Sequence, residues 1–185
     1  MSKLIEDWTS SFHCNEKLVS WKMANTLEEM LPTQVHEIIL LFIGTDRSTG
    51  DSFGPLTGTI LSSKPINHLN VYGTLKDPIH ARNLDSYIEY INTEHANPFI
   101  IAIDAALGKS DQVKTVKISD GGLEPGAAFN KQLPCIGDIN IKGFVNTGGF
   151  LQLAVLQSTR LYDIMEMAET LAQSFTLLDL RLSKK

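Results

Sequence analysis

Two continuous apolar runs constrain the fold of this chain more than any other feature of its sequence. Residues 37–44 read EIILLFIG, and residues 98–104 read PFIIAID. A strand that is covered on both faces inside a parallel sheet has this uninterrupted apolar character, whereas a half-exposed strand alternates apolar and polar residues. Both runs therefore predict central parallel strands, and such strands require helices on both faces of the sheet.

The remaining segments show strand and helix patterns in alternation. Weaker strand patterns occur at residues 69–73, 114–119 and 138–145. Helical spacing occurs at residues 54–63, 81–95 and 148–182. Alternating strands and helices predict a three-layer α/β/α fold with a mostly parallel sheet and right-handed crossovers.

The length and composition of the chain predict one domain over residues 1–185. We expect residues 1–36 to form a helical lead-in, residues 37–147 the α/β core, and residues 148–182 the C-terminal helices. A domain of this size buries roughly 70% of its unfolded surface, so it needs no disulfide framework. The net charge of −5 does not favour a nucleic-acid partner. The absence of an apolar leader or spanning run predicts a cytoplasmic protein without a membrane partner. Whether the protein assembles into a homo-oligomer is left open.

A polar, glycine-rich loop follows the first apolar run, at the end of a strand where open α/β sheets bind ligands. Residues 44–55 read GTDRSTGDSFGP. A P-loop has four residues between its glycines and then a lysine. Here five residues separate Gly44 from Gly50, and Asp51 occupies the lysine position, which excludes nucleotide hydrolysis. Asp51 is therefore a candidate catalytic acid, with capping of the next helix as the alternative.

The second apolar run ends in Asp104, which has apolar residues on both sides. Burying an unpaired charge is expensive, so such a group is usually bonded or functional. Because neighbouring strand ends lie close together, we expect Asp104 to face the loop that carries Asp51. Two adjacent carboxyl groups do not both ionise easily, and such a pair can activate water and donate a proton. The alternative is that Asp104 only accepts main-chain hydrogen bonds.

His80 is the third polar candidate at this edge of the sheet. It follows a predicted strand and is expected to orient water beside the two aspartates. We expect no cofactor, although an Asp/Asp/His set would suit a divalent metal ion. The alternative is an ordinary surface histidine.

Four further residues are predicted to support or bind a substrate. Asn130, Lys131 and Asn146 fall in loops expected near the site, and the first two would bind a substrate carbonyl or carboxylate. The glycine-rich segment 121–126, which contains Gly122, would offer main-chain N–H groups to a developing oxyanion. Solvated loop is the alternative for these positions.

Three of these segments resemble the spore germination protease, in the same order. They are residues 44–55, residues 101–105 (IAIDA) and residues 118–126 (ISDGGLEPG). The positions that coincide with its motifs are Thr49, Asp51, Gly54, Pro55, Asp104, Ser119, Asp120, Gly122, Pro125 and Gly126. The resemblance implies an aspartic-type peptidase with Asp51 and Asp104 as its catalytic pair. Hydrogenase maturation proteases are similar in fold and place nickel-contacting acids at the same strand ends, which implies a phosphorylase/hydrolase-like architecture.

The chain also resembles the shorter YyaC-type sporulation proteins over about residues 37–170. Segments 73–80, 129–134, 145–146 and 155–161 carry this similarity. It implies a role in a sporulating cell or spore, where the Asp pair would hydrolyse a small spore or sporulation protein. Gly50 replaces a proline of the germination protease motif, and no propeptide is evident. A non-catalytic binding or regulatory protein and a metal-binding, maturation-protease-like protein therefore stay as alternatives.

Overall fold

The computed structural model describes residues 8–124 and 135–184, and its centre is a six-stranded sheet. In chain order the strands are β1 (Thr9–His13), β2 (Ile38–Phe42), β3 (Leu69–Tyr72), β4 (Phe99–Gly108), β5 (Thr115–Asp120) and β6 (Ile139–Thr147). Their spatial order is β1-β5-β6-β4-β2-β3. Strands β6, β4, β2 and β3 are parallel, whereas β5 is antiparallel to β6 and to β1. The predicted mostly parallel sheet is confirmed.

Helices cover both faces of this sheet. They are α1 (Val19–Met30), α2 (Phe53–Ser62), α3 (Leu84–Glu94), α4 (Gln152–Gln157) and α5 (Leu161–Leu182). The core on one face joins β2 to α1, α2 and α5, and the core on the other face joins β2 to α3. The predicted three-layer arrangement is therefore confirmed. Within the described ranges, no helix has the length and apolar character needed to cross a bilayer.

The position of β2 in the sheet explains why residues 38–42 include no polar side chain. Its alternate side chains Ile38, Leu40 and Phe42 belong to the core under α1, α2 and α5, while Ile39 and Leu41 belong to the core under α3. All five residues are buried. Because both faces of the strand are covered by helices, an alternating pattern would have buried unpaired polar groups.

The N-terminal lead-in differs from the helical prediction, because residues 9–13 form strand β1 at the edge of the sheet. The pattern in this strand is polar, and its partner β5 lies about a hundred residues away, from Thr9↔Ser119 to His13↔Thr115. Local periodicity carries no sign of such a distant partner. Helix α1 ends at Met30, close to the predicted stop before Pro32.

Strand β4 also differs from the prediction, because it continues four residues past Asp104. Strand β6 pairs with it as far as Gly108↔Thr147, which extends the ladder. Strand β2, on the other side, ends at Phe42 opposite Ile103. Asp104 therefore lies just beyond the last residue of β2, where β4 no longer has a neighbour on that side, rather than at the end of its own strand.

The connections around β2 create a crevice at the carboxyl end of this strand. The chain leaves β2 through α2 to reach β3 on one side, and then passes through α3 to reach β4 on the other side. The two helices lie on opposite faces of the sheet. A reversal of this kind separates the loops at the carboxyl end of the strand, and ligands of open α/β sheets bind there.

Candidate active site

A pocket of about 420 Å³ lies at the carboxyl ends of β2 and β3, beside the middle of β4. The predicted site residues Asp51, His80 and Asp104 all line it. The other described residues of its lining are Ile43, Gly44, Thr45, Arg47, Ser48, Ala81, Arg82, Leu153, Leu156 and Gln157. The fold thus brings together side chains from four separate parts of the chain.

The loop after β2 folds back on itself and places Asp51 at the pocket. The main-chain N–H of Thr45 donates a hydrogen bond to the carbonyl oxygen of Asp51 (3.1 Å). Gly44 has a φ of +143°, and a Cβ at this position would clash with the same carbonyl oxygen. Glycine is required here both for its backbone conformation and for this close approach.

Asp51 is half-buried, and its environment favours the protonated carboxyl group. Burial raises the pKa of Asp51 from 3.8 to about 6, while His80, when it is protonated, acts in the opposite direction. Both protonation states are therefore accessible near pH 6. In the described part of the chain, α2 has no side-chain cap, so Asp51 does not act as the helix cap that was its alternative role.

Asp104 is held by the ladder of β4 and by its own backbone. The main-chain N–H of Ala105 donates a hydrogen bond to Oδ1 of Asp104 (2.8 Å), so part of the alternative role, main-chain bonding, is present. The carboxyl group nevertheless lines the pocket. Lys142 on β6 is its register partner. Paired residues of neighbouring strands project from the same face of a sheet, so Lys142 adds a positive charge on the face of Asp104.

His80 is fixed by two hydrogen bonds within its own loop. Its main-chain N–H donates to Oδ1 of Asn83 (2.8 Å), and its Nδ1 accepts from the main-chain N–H of Arg82 (3.3 Å). A ring nitrogen that accepts carries no proton, which assigns the neutral ring's proton to Nε2. The Nε2–H group is then a hydrogen-bond donor.

This arrangement does not provide a preformed metal site. Over residues 8–124 and 135–184, no group of three His, Cys, Asp or Glu side chains is placed to hold an ion. The Nδ1 atom of His80 is occupied by Arg82, and a protonated Nε2 is not a metal ligand. Asp51, His80 and Asp104 nevertheless line one pocket, and a divalent metal ion stays the alternative that the sequence left open.

Two of the supporting residues predicted from sequence, Asn146 and Gly122, lie outside the pocket lining. Asn146 donates from Nδ2 to Oγ1 of Thr159 (3.2 Å) and accepts from the N–H of Thr147 (2.8 Å), so it braces the segment after α4. Gly122 packs against Cys135. Neither residue is part of the pocket lining. Asn130 and Lys131 lie outside the described residues, and their roles stay predictions.

Several lining residues were not identified from the sequence. Arg47 and Ser48 belong to the glycine-rich loop, whose sequence pattern distinguishes only its glycines and acids. Leu153 and Leu156 belong to α4, in the stretch 148–182 whose spacing predicted only C-terminal helices. Leu156 is buried, but Leu153 is 53% exposed although it lines the pocket. A large apolar residue exposed beside a pocket is the signal that identifies it, and only the structure contains that signal.

Known proteins are similar to this chain in fold and in sequence. The hydrogenase maturation protease HycI of Thermococcus kodakarensis shares the fold, with a TM-score of 0.54 and 18% identity over 83% of this chain and 97% of that protein. The uncharacterized protein YyaC of Bacillus subtilis (strain 168) is 49% identical over 142 residues, which are 77% of this chain and 69% of YyaC. The resemblance to the germination protease stays a prediction.

A family model covers most of the chain. It matches residues 11–174 and describes proteins of unknown function under the name DUF1256. Together with the similarity to YyaC, this match shows that the chain belongs to the DUF1256 family.

Proposed function

We propose that the protein is a peptidase in which Asp51 and Asp104 act as a paired acid and base. The observation that carries this proposal is that the two aspartates, which lie 53 positions apart in the sequence, line one pocket at the switch point of the sheet. The fold is also that of a maturation protease. The proposed substrate is a small spore or sporulation protein, as the resemblance to YyaC-type proteins suggests.

The environments of the two acids suggest different roles. Asp51, whose pKa is raised to about 6 by burial, is the proton donor. Asp104, whose register partner is Lys142, is the carboxylate that takes a proton from water. The water oxygen then attacks the peptide carbonyl carbon. Asp51 delivers its proton to the departing amide nitrogen, the C–N bond breaks, and the proton on Asp104 restores Asp51 through solvent.

His80 orients the reacting groups in this scheme. It supplies an Nε2–H donor to a pocket whose two carboxyl groups are acceptors when ionised. A donor in this position holds either the attacking water or the substrate carbonyl. Because Nδ1 accepts from Arg82, the ring cannot donate from that atom to an aspartate, and the arrangement differs from that of a Ser-His-Asp triad.

Hydrolysis of an unbiased decapeptide library, followed by mass spectrometry, tests the proposal. Asp51→Asn and Asp104→Asn keep the size of each side chain and remove its acid–base function, and each should abolish cleavage. Asp46→Asn is the matched control, because Asp46 is an exposed aspartate of the same loop that does not line the pocket. Cleavage that survives Asp104→Asn, or that is lost equally in Asp46→Asn, would refute the paired mechanism.

A non-catalytic binding protein is the second candidate. Phe150, Leu151 and Leu153 are more than half exposed, and Leu153 also lines the pocket. An apolar surface that continues into a pocket is suited to holding a peptide. Library peptides that are retained on the immobilised wild-type protein but never cleaved would favour this function over hydrolysis.

A further inference from the structure

The hydroxyl group of Ser48 is buried beside the pocket. Ser48 is 7% exposed, and within residues 8–124 and 135–184 its Oγ has no hydrogen-bond partner. A buried hydroxyl without a partner destabilises a protein, because it has lost its hydrogen bonds to water. The paired aspartates do not require this hydroxyl, and an alanine here would avoid its cost.

The backbone of Ser48 is held in place, but its side chain is not. The carbonyl oxygen of Ser48 accepts a hydrogen bond from the N–H of Ser52 (3.1 Å), which anchors the turn leading to Asp51. The side chain has three staggered rotamers, and no hydrogen bond among the described residues holds it in one of them. Because Ser48 belongs to the pocket lining, a rotation about χ1 can direct its hydroxyl toward a bound molecule.

We propose that Ser48 is a substrate-binding residue whose hydroxyl donates a hydrogen bond to a carbonyl oxygen of the peptide bound in this pocket. The inference rests on the proposed peptide-binding function. A serine hydroxyl is both a donor and an acceptor. Beside the Nε2–H group of His80, Ser48 gives the pocket a further donor, and the groups of a peptide backbone that need donors are its carbonyl oxygens. Binding of the peptide gives the hydroxyl the partner that it otherwise lacks.

In this proposal Ser48 binds the substrate, and His80 does not activate it as a nucleophile. A serine nucleophile needs a base that accepts its proton. In the neutral tautomer of His80 the proton lies on Nε2, and Nδ1 is engaged by Arg82. The histidine therefore offers no free acceptor to the Ser48 hydroxyl.

Ser52 provides a matched control in the same loop. It is 6% exposed, and its hydroxyl donates to the carbonyl oxygen of Thr49 (2.6 Å). Ser48→Ala and Ser52→Ala thus make the same chemical change at nearly equal burial, but only the second removes an internal hydrogen bond. We expect Ser48→Ala to leave the urea midpoint of unfolding unchanged or higher, and Ser52→Ala to lower it.

The two variants should rank the other way for activity: Ser48→Ala should lose more activity than Ser52→Ala. With a fluorogenic peptide chosen from the cleaved library sequences, Ser48→Ala should lower kcat/KM about ten- to hundredfold, because a carbonyl oxygen buried in the pocket would lose its donor. Ser52→Ala should retain kcat/KM at a temperature where it is folded. Unchanged kcat/KM in Ser48→Ala, or a midpoint lowered as much as in Ser52→Ala, would overturn the inference.

Retention of library peptides on immobilised protein separates this inference from the proposed hydrolysis. If the wild type retains peptides without cleaving them, the peptidase proposal fails, and loss of retention in Ser48→Ala still supports the role of Ser48. Equal retention by the wild type and Ser48→Ala overturns it. If the wild type neither cleaves nor retains any library peptide, both the proposed function and the inference fall.

Discussion

Replacement of Asp51 by asparagine should stabilise the protein, and the gain should depend on pH. The carboxyl group of Asp51 is half-buried, and its pKa rises from 3.8 to about 6 because burial disfavours the ionised form. This rise corresponds to about 3 kcal/mol, since one pKa unit is equivalent to about 1.36 kcal/mol. Solvent that reaches the carboxyl group reduces the value, so we expect about 1–3 kcal/mol.

The sign follows from the proton bound by each state. Below pH 3.8 the carboxyl group is protonated in both the folded and the unfolded protein, so its ionisation affects neither state. As the pH rises from 3.8 to about 6, the unfolded state ionises first, and the wild type loses stability. Above about pH 6 the loss is complete. The asparagine side chain of the variant does not titrate, so the advantage of Asp51→Asn should grow over this window and then stay constant.

Urea unfolding of the wild type and Asp51→Asn between about pH 4.5 and pH 8 measures this difference. Asp46→Asn is again the control, because an exposed aspartate should show a difference near zero throughout the range. A difference between the wild type and Asp51→Asn that is constant with pH would refute the reasoning. It would mean that burial does not raise the pKa of Asp51, and the assignment of Asp51 as the proton donor would lose its basis.

Three further predictions concern activity and the loops around the site. If Asp51 is the proton donor, kcat/KM of the wild type should fall about tenfold per pH unit above about pH 6, as a pH–rate profile would show. Gly44→Ala should lower the free energy of unfolding by roughly 3 kcal/mol or more, because of its positive φ and the clash with the loop, whereas Gly149→Ala, with open space around it, should have little effect in the same denaturation assay. Asp179→Ala should lower the free energy of unfolding by about 2–3 kcal/mol, because this buried carboxylate accepts hydrogen bonds from two main-chain N–H groups before β3. Equal urea midpoints for Asp179→Ala and the wild type would contradict this role.

The central strands were predictable because their burial leaves a direct trace in the sequence. A strand covered on both faces must be apolar at every position, and β2 has no polar residue between Ile38 and Phe42. The edge strand β1 leaves no such trace. Its sequence, TSSFH, is mostly polar, and its formation depends on pairing with β5 far along the chain. Non-local pairing of this kind cannot be inferred from local periodicity.

The candidate site was also predictable only in part. Asp51 and Asp104 were predicted because each follows an apolar run, and parallel strands deliver their carboxyl ends to one edge. The extension of β4 beyond Asp104 was not predicted, because it depends on how far β6 runs alongside. Asn146 was expected near the substrate, but its amide instead braces Thr159. Such choices depend on side-chain geometry, which residue type and loop position do not determine.

Helix α4, which supplies the wall containing Leu153 and Leu156, has a consequence for the order of events during synthesis. The ribosome completes both aspartates, the loop around His80 and all six strands of the sheet before it adds this wall. A nascent chain that has reached Thr147 therefore has both acids of the proposed chemistry but neither α4 nor α5, the helix that packs on one face of the sheet. If the proposed activity depends on the closed pocket, it can begin only after α4 has emerged and packed.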